Sequence, residues 1–385
     1  MTQNPSPDPT VAPDRPSPPA ADVGAGAALL ERALLEVARV VVGQDRLVER
    51  LFVALLARGH CLLEGPPGVA KTLAAQTLAG VVGGEYARIQ FTPDLVPADV
   101  VGTRIYRPSA ETFDVELGPV VTNVLLADEI NRAPAKVQSA LLEAMGEGHV
   151  SLGGRTYPLP DPFLVLATQN PVESDGVYPL PEAQRDRFLL KVAVPYPSDA
   201  EELSILARMG RARSLPVARR VLSPDVVREL RDLADDVFVH PAVAEYAVRL
   251  VTATRDPGRA GLPDVVPLLD YGASPRSTLG LIAAARALAL LRSRSYVLPG
   301  DVADLAEDVM AHRIGLSFDA LAEAVDPRHV VRRVLAAVPQ PRIAPAQPLR
   351  QPSADGGADG GVRDDMDGGV QGGADGGHGL RRVPA

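Results

Sequence analysis

Short, nearly continuous apolar runs alternate with helical patterns in the first half of the chain. The runs lie at 60–64, 86–91, 121–127, 163–168 and 188–194. An apolar run without polar alternation indicates a strand buried on both faces, and such strands form parallel sheets covered by helices. The pattern therefore predicts an α/β domain with a parallel sheet, ending near residue 197.

The strand pattern stops after Pro195-Tyr196-Pro197. Helical patterns follow near 198–213, 223–236, 240–256, 274–293 and 299–312, with weaker ones to about 337. Ser198, the pair Ser223-Pro224 and Pro299 stand where first turns are expected, and these residue types start helices. The second half is therefore predicted to form an all-helical domain.

Two hairpins are predicted to interrupt the α/β domain. One covers 103–117, where alternating runs flank a polar turn. The other covers 149–159, where Gly153-Gly154 supplies the two positive φ angles of a tight turn. Arg155 follows that turn and is either a substrate contact or a solvated residue at the tip; the sequence favours neither.

Both ends of the chain have biased compositions. Residues 1–27 are rich in proline, and residues 339–385 combine proline with Asp-Gly-Gly repeats. Such segments bury too little apolar surface to offset the entropy of ordering, so both are predicted to be disordered spacers. A calcium-binding repeat is the alternative for the tail, but its spacing is irregular. The predicted domains are then 28–197 and 198–338.

Composition narrows the function classes. The formal charge is −9, which argues against broad, non-specific nucleic-acid binding. Cys61 is the only cysteine, so an intrachain disulfide and a cysteine-based zinc site are excluded. No apolar run reaches the roughly 18 residues of a transmembrane helix. These features favour a cytoplasmic location.

The segment Gly65-Pro66-Pro67-Gly68-Val69-Ala70-Lys71-Thr72 joins a predicted strand to a predicted helix that continues with Leu73. This setting indicates a nucleotide phosphate loop, in which backbone N–H groups and the helix N-terminus bind phosphate oxygens. Lys71 is predicted to reach the β- and γ-phosphates, and Thr72 to ligate Mg²⁺. An ordinary Gly-Pro turn is the alternative. Ala70 stands where the motif has glycine, so the loop is expected to differ slightly there.

A second motif is the apolar run that ends in Asp128-Glu129. A carboxylate at the carboxyl end of a strand beside a phosphate loop can hold Mg²⁺ through its water shell, which suits Asp128. The second acid can activate a water for attack on the γ-phosphate, which suits Glu129. Asn170 ends the next apolar run, and it is either a contact to the γ-phosphate or water, or a turn residue before Pro171.

These motifs together resemble AAA+ ATPases, and within them the MoxR family. The resemblance covers residues 28–338 and includes Ala70, which that family carries before the lysine. The segments that carry it are Val42-Gly43-Gln44, 59–72, 88–94, 126–133, 140–145, 167–171, 178–184, 272–276 and 311–314.

The resemblance implies a role for further residues. Residues Val42, Gly43 and Gln44 would lie by the adenine, and Asn170 matches the first sensor. Arg187 matches the arginine finger that reaches a neighbouring subunit, and Arg276 matches a second sensor that touches the γ-phosphate of its own subunit. Arg185 stands where an apolar residue is common in the family, so the choice between Arg185 and Arg187 as the finger stays open.

The resemblance also implies a fold and an activity. The fold is an AAA+ module, with a five-stranded parallel sheet between helices and an all-α lid. The activity is hydrolysis of ATP with Mg²⁺ in a homo-oligomer, a hexameric ring, that remodels a protein client with a von Willebrand factor A domain partner. Two rivals are a DNA-translocating or helicase-type motor and a non-hydrolysing nucleotide-gated scaffold. The net charge opposes the first, and the intact set Lys71, Asp128 and Glu129 opposes the second.

Overall fold

The structure, a computed structural model of the 385-residue chain, describes residues 20–109, 111–170, 178–210 and 216–342. The predicted spacers before residue 20 and after residue 342 lie outside the described residues. Within the described ranges, no helix combines the length and the apolar character that crossing a membrane requires.

The described residues form two groups of elements. The first contains α1 (Ala20–Val40), α2 (Asp45–Leu56), β1 (Cys61–Glu64), α3 (Lys71–Val82), β2 (Tyr86–Gln90), α4 (Pro97–Val101), β3 (Gly102–Arg107), β4 (Thr112–Leu117), β5 (Val124–Asp128), α5 (Ala135–Glu147), β6 (His149–Leu152), β7 (Arg155–Pro158), β8 (Leu164–Gln169), α6 (Glu182–Arg185) and β9 (Leu190–Ala193). The second contains α7 (Asp199–Met209), α8 (Pro224–Asp235), α9 (Pro241–Arg255), β10 (Leu269–Tyr271), α10 (Pro275–Leu291), α11 (Pro299–Met310), β11 (Gly315–Leu316), α12 (Phe318–Ala322) and α13 (Pro327–Ala337).

The five predicted strands form one parallel sheet in the order β2-β5-β8-β1-β9, which confirms the predicted architecture. Because all five run the same way, their carboxyl ends share one edge of the sheet. At this carboxyl edge Glu64 lies beside Gln169 and Ala193, and Gln90 lies beside Asp128. The opposite, amino edge carries the residues that precede each strand.

Both faces of the sheet are buried, as the unbroken apolar runs require. Leu62, Leu125 and Val165 belong to a core that includes α5 residues such as Leu141. The alternate side chains, such as Leu126, are equally inaccessible to water, because α2 and α3 pack on the sheet as well. The sheet is therefore the middle layer of an αβα sandwich.

Both predicted hairpins are present. β3 pairs with β4, and β6 pairs with β7 across the Gly153-Gly154 turn, where both glycines have positive φ. Arg155 is an exposed residue at the start of β7.

The C-terminal elements are helical, as predicted, except for one short antiparallel pair, β10 with β11. The predicted start signals are confirmed. Ser198 and Glu201 form a capping box at α7, and Ser223 Oγ accepts a hydrogen bond from the Val226 N–H of α8. The sequence did not indicate β10 and β11, because runs of two or three residues carry no periodicity.

The predicted disordered arm extended to residue 27, and this boundary is wrong. Helix α1 already starts at Ala20. Val23, Ala27 and Leu30 lie at helical spacing and are buried, so the segment 20–27 does bury apolar surface and is ordered by packing.

The two domains are joined by a buried cluster of charges. Arg50 of α2 is 1% exposed, and its guanidinium donates to Asp308 at 2.8 Å and to Asp304 at 2.9 Å, both on α11. Arg46 also donates to Asp308, at 2.9 Å. A buried guanidinium is tolerated only when carboxylates surround it, so this cluster fixes α11 against α2.

Candidate active site

The phosphate loop (Gly65–Thr72) joins the carboxyl end of β1 to the first turn of α3. Ala70 has φ +61° and Gly68 has φ +83°, so both residues adopt the left-handed conformation. Ala70 thus takes a conformation that favours glycine, at the position where the motif has glycine. Its carbonyl accepts the Ala74 N–H at 2.9 Å, the first hydrogen bond of α3.

Lys71 lies over the loop. Its Nζ donates to the Gly65 carbonyl at 2.7 Å. Burial lowers the pKa of Lys71, while the negative charges of Asp128 and Glu129 raise it. The ammonium is therefore within electrostatic reach of both acids, as expected if the phosphate loop and the acidic strand end form one site.

Residue 65 must be glycine because another backbone segment passes close to it, and not because of its φ angle. A Cβ on this residue would lie 2.2 Å from the carbonyl oxygen of Val194, which follows β9. On the same side, Gln44 Nε2 donates to the Pro195 carbonyl at 3.2 Å. The segment Val42–Gln44 therefore lies at the carboxyl edge, close to the phosphate loop.

Asp128 ends β5 at the same edge, and Thr168 of β8 fixes it. Thr168 Oγ1 donates to Asp128 Oδ1 at 2.6 Å and accepts the Glu129 N–H at 2.8 Å. Asp128 Oδ2 accepts from Arg88 of β2 at 2.7 Å. The Thr168 hydroxyl thus fixes the positions of both acids of the motif relative to each other.

Glu129 has φ +57°, an uncommon conformation for a residue with a side chain. Its carboxylate accepts from Gln90 Nε2 at 3.0 Å and forms an ion pair with Arg132 Nε at 2.9 Å. Backbone strain of this kind persists where the surroundings over-determine it, and it concentrates at functional sites. Ala70 and Glu129 place two such residues at the carboxyl edge.

The donor set suits Mg²⁺. The Thr72 hydroxyl and the Asp128 carboxylate are hard oxygen donors at the same edge of the sheet. Among the described residues no cluster of three or more His, Cys, Asp or Glu forms a complete metal cage. Few protein ligands are typical of a magnesium ion that also binds waters and substrate phosphates.

Asn170 directly follows β8, which lies between β5 and β1, so it also belongs to the carboxyl edge. The structure thus brings together the phosphate loop, Asp128, Glu129, Asn170 and the Val42–Gln44 segment.

Arg187 and Arg276 lie elsewhere. Arg187 precedes β9, so it belongs to the amino edge, and Arg276 is in the first turn of α10. Both line a cleft of about 370 Å³, named here the arginine cleft, with Arg58, Gly146, Asp186 and Arg313. Arg276 Nη1 forms an ion pair with Asp186 at 3.2 Å.

The expected contact of Arg276 with the nucleotide of its own subunit is therefore not supported. β1 separates the phosphate loop from the arginine cleft, and a four-residue strand spans roughly 10 Å. The sequence could not show this, because the position of the lid relative to the sheet depends on long-range packing such as that of Arg50.

The two candidate finger arginines differ in their surroundings. Arg187 Nη1 donates to the Leu142 carbonyl at 2.6 Å, which places its guanidinium in the arginine cleft. Arg185 does not line that cleft, and among the described residues its ion-pair partner is Glu182, at 3.9 Å on the same short helix.

Several residues of the site were not assigned a role from the sequence. They are Arg88, Gln90, Arg132, Thr168, Asp186 and Arg313. The register could have indicated one of them, since Gln90 is paired with Asp128 at a sheet edge. Arg132 could also have been found, because it lies three residues after Glu129 in the chain. The others act through contacts between distant segments, which no local spacing predicts.

Comparison with known proteins agrees with the geometry. The family model "ATPase family associated with various cellular activities (AAA)" matches residues 60–190, and an AAA lid domain model matches 264–334. The chain is 58% identical to the chaperone MoxR1 of Mycobacterium tuberculosis over 336 residues, 87% of this chain and 89% of the relative. It is 36% identical to MoxR of Paracoccus denitrificans, over 78% of this chain and 93% of the relative.

A solved structure has the same fold. The crystal structure of a protein from Cytophaga hutchinsonii, assigned as an ATPase, superimposes with a TM-score of 0.79 at 42% identity. The match covers 84% of this chain and 98% of that protein. From its phosphate loop, its acidic strand end, its lid and these relatives, the chain belongs to the MoxR family of AAA+ ATPases.

Proposed function

We propose that this protein hydrolyses ATP to ADP and phosphate within a homo-oligomeric ring and uses the cycle to remodel a protein client. The observation that carries the proposal is the convergence of Lys71, Asp128 and Glu129 at the carboxyl edge. Groups from two separate segments of the chain serve there the three needs of phosphoryl transfer: a fixed counter-charge, a metal ligand and a base.

In this proposal Glu129 accepts the proton of the attacking water. The contacts from Gln90 and Arg132 orient the carboxylate. Lys71 offsets charge on the β- and γ-phosphates. When bound, Mg²⁺ would neutralise further phosphate charge, and Thr72 and Asp128 would hold it. Asn170 would orient the water or contact the γ-phosphate.

The arginines would complete the site of a neighbouring subunit. Because Arg187 and Arg276 lie at the amino edge of their own sheet, packing that edge against the carboxyl edge of a second copy would present both guanidinium groups to its triphosphate. A guanidinium suits dispersed phosphate charge because its N–H groups form a fixed fork. The contacts of Arg187 and Arg185 favour Arg187 as the finger.

The ring, its client and its cellular setting rest on the family alone. A hexamer, a von Willebrand factor A domain partner and a cytoplasmic location follow from the resemblance, and the relative in Mycobacterium tuberculosis is named a chaperone. The two rival functions remain less favoured. The net charge of −9 opposes a DNA motor, and the ordered acids at the carboxyl edge oppose a scaffold that does not hydrolyse ATP.

Two variants test the active site. Lys71→Ala should abolish tight ATP binding, whereas Glu129→Gln should retain binding and lose turnover by a factor on the order of 10²–10⁴. Lys136→Ala and Glu143→Gln, both exposed on α5, are the matched controls and should leave both quantities unchanged. Normal hydrolysis by Glu129→Gln would show that the assignment of the base is wrong.

Subunit mixing tests the shared site. Arg187→Ala should bind ATP without hydrolysing it, and mixing it with Lys71→Ala before assembly should restore part of the activity. Arg185→Ala should keep its activity. Proteins captured by the Glu129→Gln variant with ATP, against the same variant without ATP, would identify the client and the partner. DNA-stimulated turnover would revive the DNA-motor alternative.

A further inference from the structure

Asp186 lies where the loop before β9 meets the lid. Its carboxylate is 20% exposed and contacts three side chains of the second group of elements. Arg276 Nη1 is 3.2 Å from Oδ2, Arg313 Nε is 3.1 Å from Oδ1, and Ser274 Oγ donates to Oδ1 at 3.3 Å. The carboxylate therefore joins the arginine cleft to the first turn of α10.

Arg313 anchors this carboxylate from the buried side. Its side chain is 4% exposed, and Nη2 donates to the Phe188 carbonyl at 2.9 Å. Burial lowers the pKa of Arg313 to about 10, Asp186 opposes that shift, and the group remains charged at neutral pH. A buried cation needs a fixed counter-charge, so Asp186 is held on one side before it contacts Arg276 on the other.

Arg276 is the exposed member of the set. Its side chain is 64% exposed, and Asp186 is its only ion-pair partner within the described residues. A free arginine side chain loses rotamer entropy when it is ordered. A carboxylate that is itself fixed by Arg313 and Ser274 restricts this freedom before a phosphate arrives.

We infer that Asp186 is a positioning residue, which holds Arg276 beside Arg187 so that both guanidinium groups face the nucleotide of the neighbouring subunit. This inference rests on the proposed ATPase function. The carboxylate does not make the cleft repel phosphate, because the lining carries four arginines against two acids, Asp186 and Glu147. Asp186 therefore acts through Arg276 and does not touch the substrate.

The first test is Asp186→Asn in the full-length chain, with Asp264→Asn as the matched control. Asp264 does not line the arginine cleft, and its half-exposed carboxylate forms an ion pair with Arg333 at 2.8 Å. Asp186→Asn should lower kcat by about 10- to 100-fold, the usual cost of a misplaced group, while ATP binding changes less than twofold. Asp264→Asn should leave both unchanged. A kcat that is unchanged or raised in Asp186→Asn, or equally lowered in both variants, would overturn the inference.

A double-mutant cycle separates positioning from a general structural role. If Asp186 acts through Arg276, adding Asp186→Asn to Arg276→Ala should lower kcat less than twofold further. Independent, multiplicative losses would contradict the inference. The cycle remains informative if Asp186→Asn lowers stability, because a loss through partial unfolding would persist in the Arg276→Ala background.

Subunit mixing gives the last readout. Asp186→Asn should recover activity with Lys71→Ala but not with Arg187→Ala, because its defect lies at the edge that serves the neighbour. If Asp186→Asn recovered activity with Arg187→Ala but not with Lys71→Ala, its defect would lie at the carboxyl edge, and the inference would be overturned. If Arg187→Ala and Lys71→Ala also fail to complement each other, the proposed shared site fails first, so the two failures are distinguishable.

Discussion

Replacing Ala70 with glycine removes one methyl group from the phosphate loop at a residue whose φ is +61°. The left-handed conformation costs a residue with a Cβ roughly 1–2 kcal/mol. Glycine avoids that strain, but it loses more conformational freedom on folding, which costs roughly 0.5–1 kcal/mol. The difference predicts that Ala70→Gly raises the free energy of unfolding by about 0.5–1 kcal/mol.

The matched controls should change the free energy of unfolding in the opposite direction. Ala74→Gly lies one turn later in the right-handed part of α3 and should lower the free energy of unfolding by at least about 1 kcal/mol. Gly68→Ala should also lower it, by about 0.5–1 kcal/mol, since Gly68 has φ +83°. A Cβ on Gly68 would meet no atom within 4 Å, so its cost is entirely that of the backbone.

Urea unfolding without nucleotide, at one protein concentration, measures all three variants. A loss of stability in Ala70→Gly similar to that in Ala74→Gly would refute the reasoning, because it would show that Ala70 is not in the left-handed conformation. The same variant bears on function. If the strain orders the loop, Ala70→Gly should bind ATP no more tightly than the parent chain in spite of its greater stability.

Three further predictions concern stability, each measured by urea unfolding. Asp308→Asn should lower the free energy of unfolding by about 3 kcal/mol, because it leaves the buried Arg50 without its central carboxylate. Arg50→Met should lower the free energy of unfolding by less, and equal losses in the two variants would contradict this explanation. Burial lowers the pKa of His60 to about 4 from 6.5, so stability should fall as the pH falls from 6.5 towards 4, by up to about 1.4 kcal/mol per pH unit. His60→Asn should reduce that slope, and an unchanged slope would exclude His60 as its cause. A chain that starts at residue 28 should be less stable than one that starts at residue 20 by about 1.5–3 kcal/mol, because it lacks the buried Val23; equal stabilities would show that α1 contributes nothing before residue 28.

Local patterns in the sequence predicted most of the fold. The five apolar runs were long enough to identify buried strands, and the phosphate loop carries its own geometry in glycine, proline and lysine at fixed spacing. The position of Asp128-Glu129 followed too, because the carboxyl ends of parallel strands must share an edge. The start of α1 was missed because the composition of residues 1–19 obscured the apolar spacing of Val23 and Ala27.

The tertiary structure alone decided which charges meet. Arg88 and Asp128 are 40 residues apart and pair through the register of β2 and β5, and Arg276 and Asp186 are 90 residues apart and pair through the docking of the lid. The sequence determined the chemistry of the candidate site because a motif places its groups within one turn or one strand end. It could not determine the edge on which Arg276 lies, because that depends on packing between domains, and a rotation of the lid would change it without changing any local pattern.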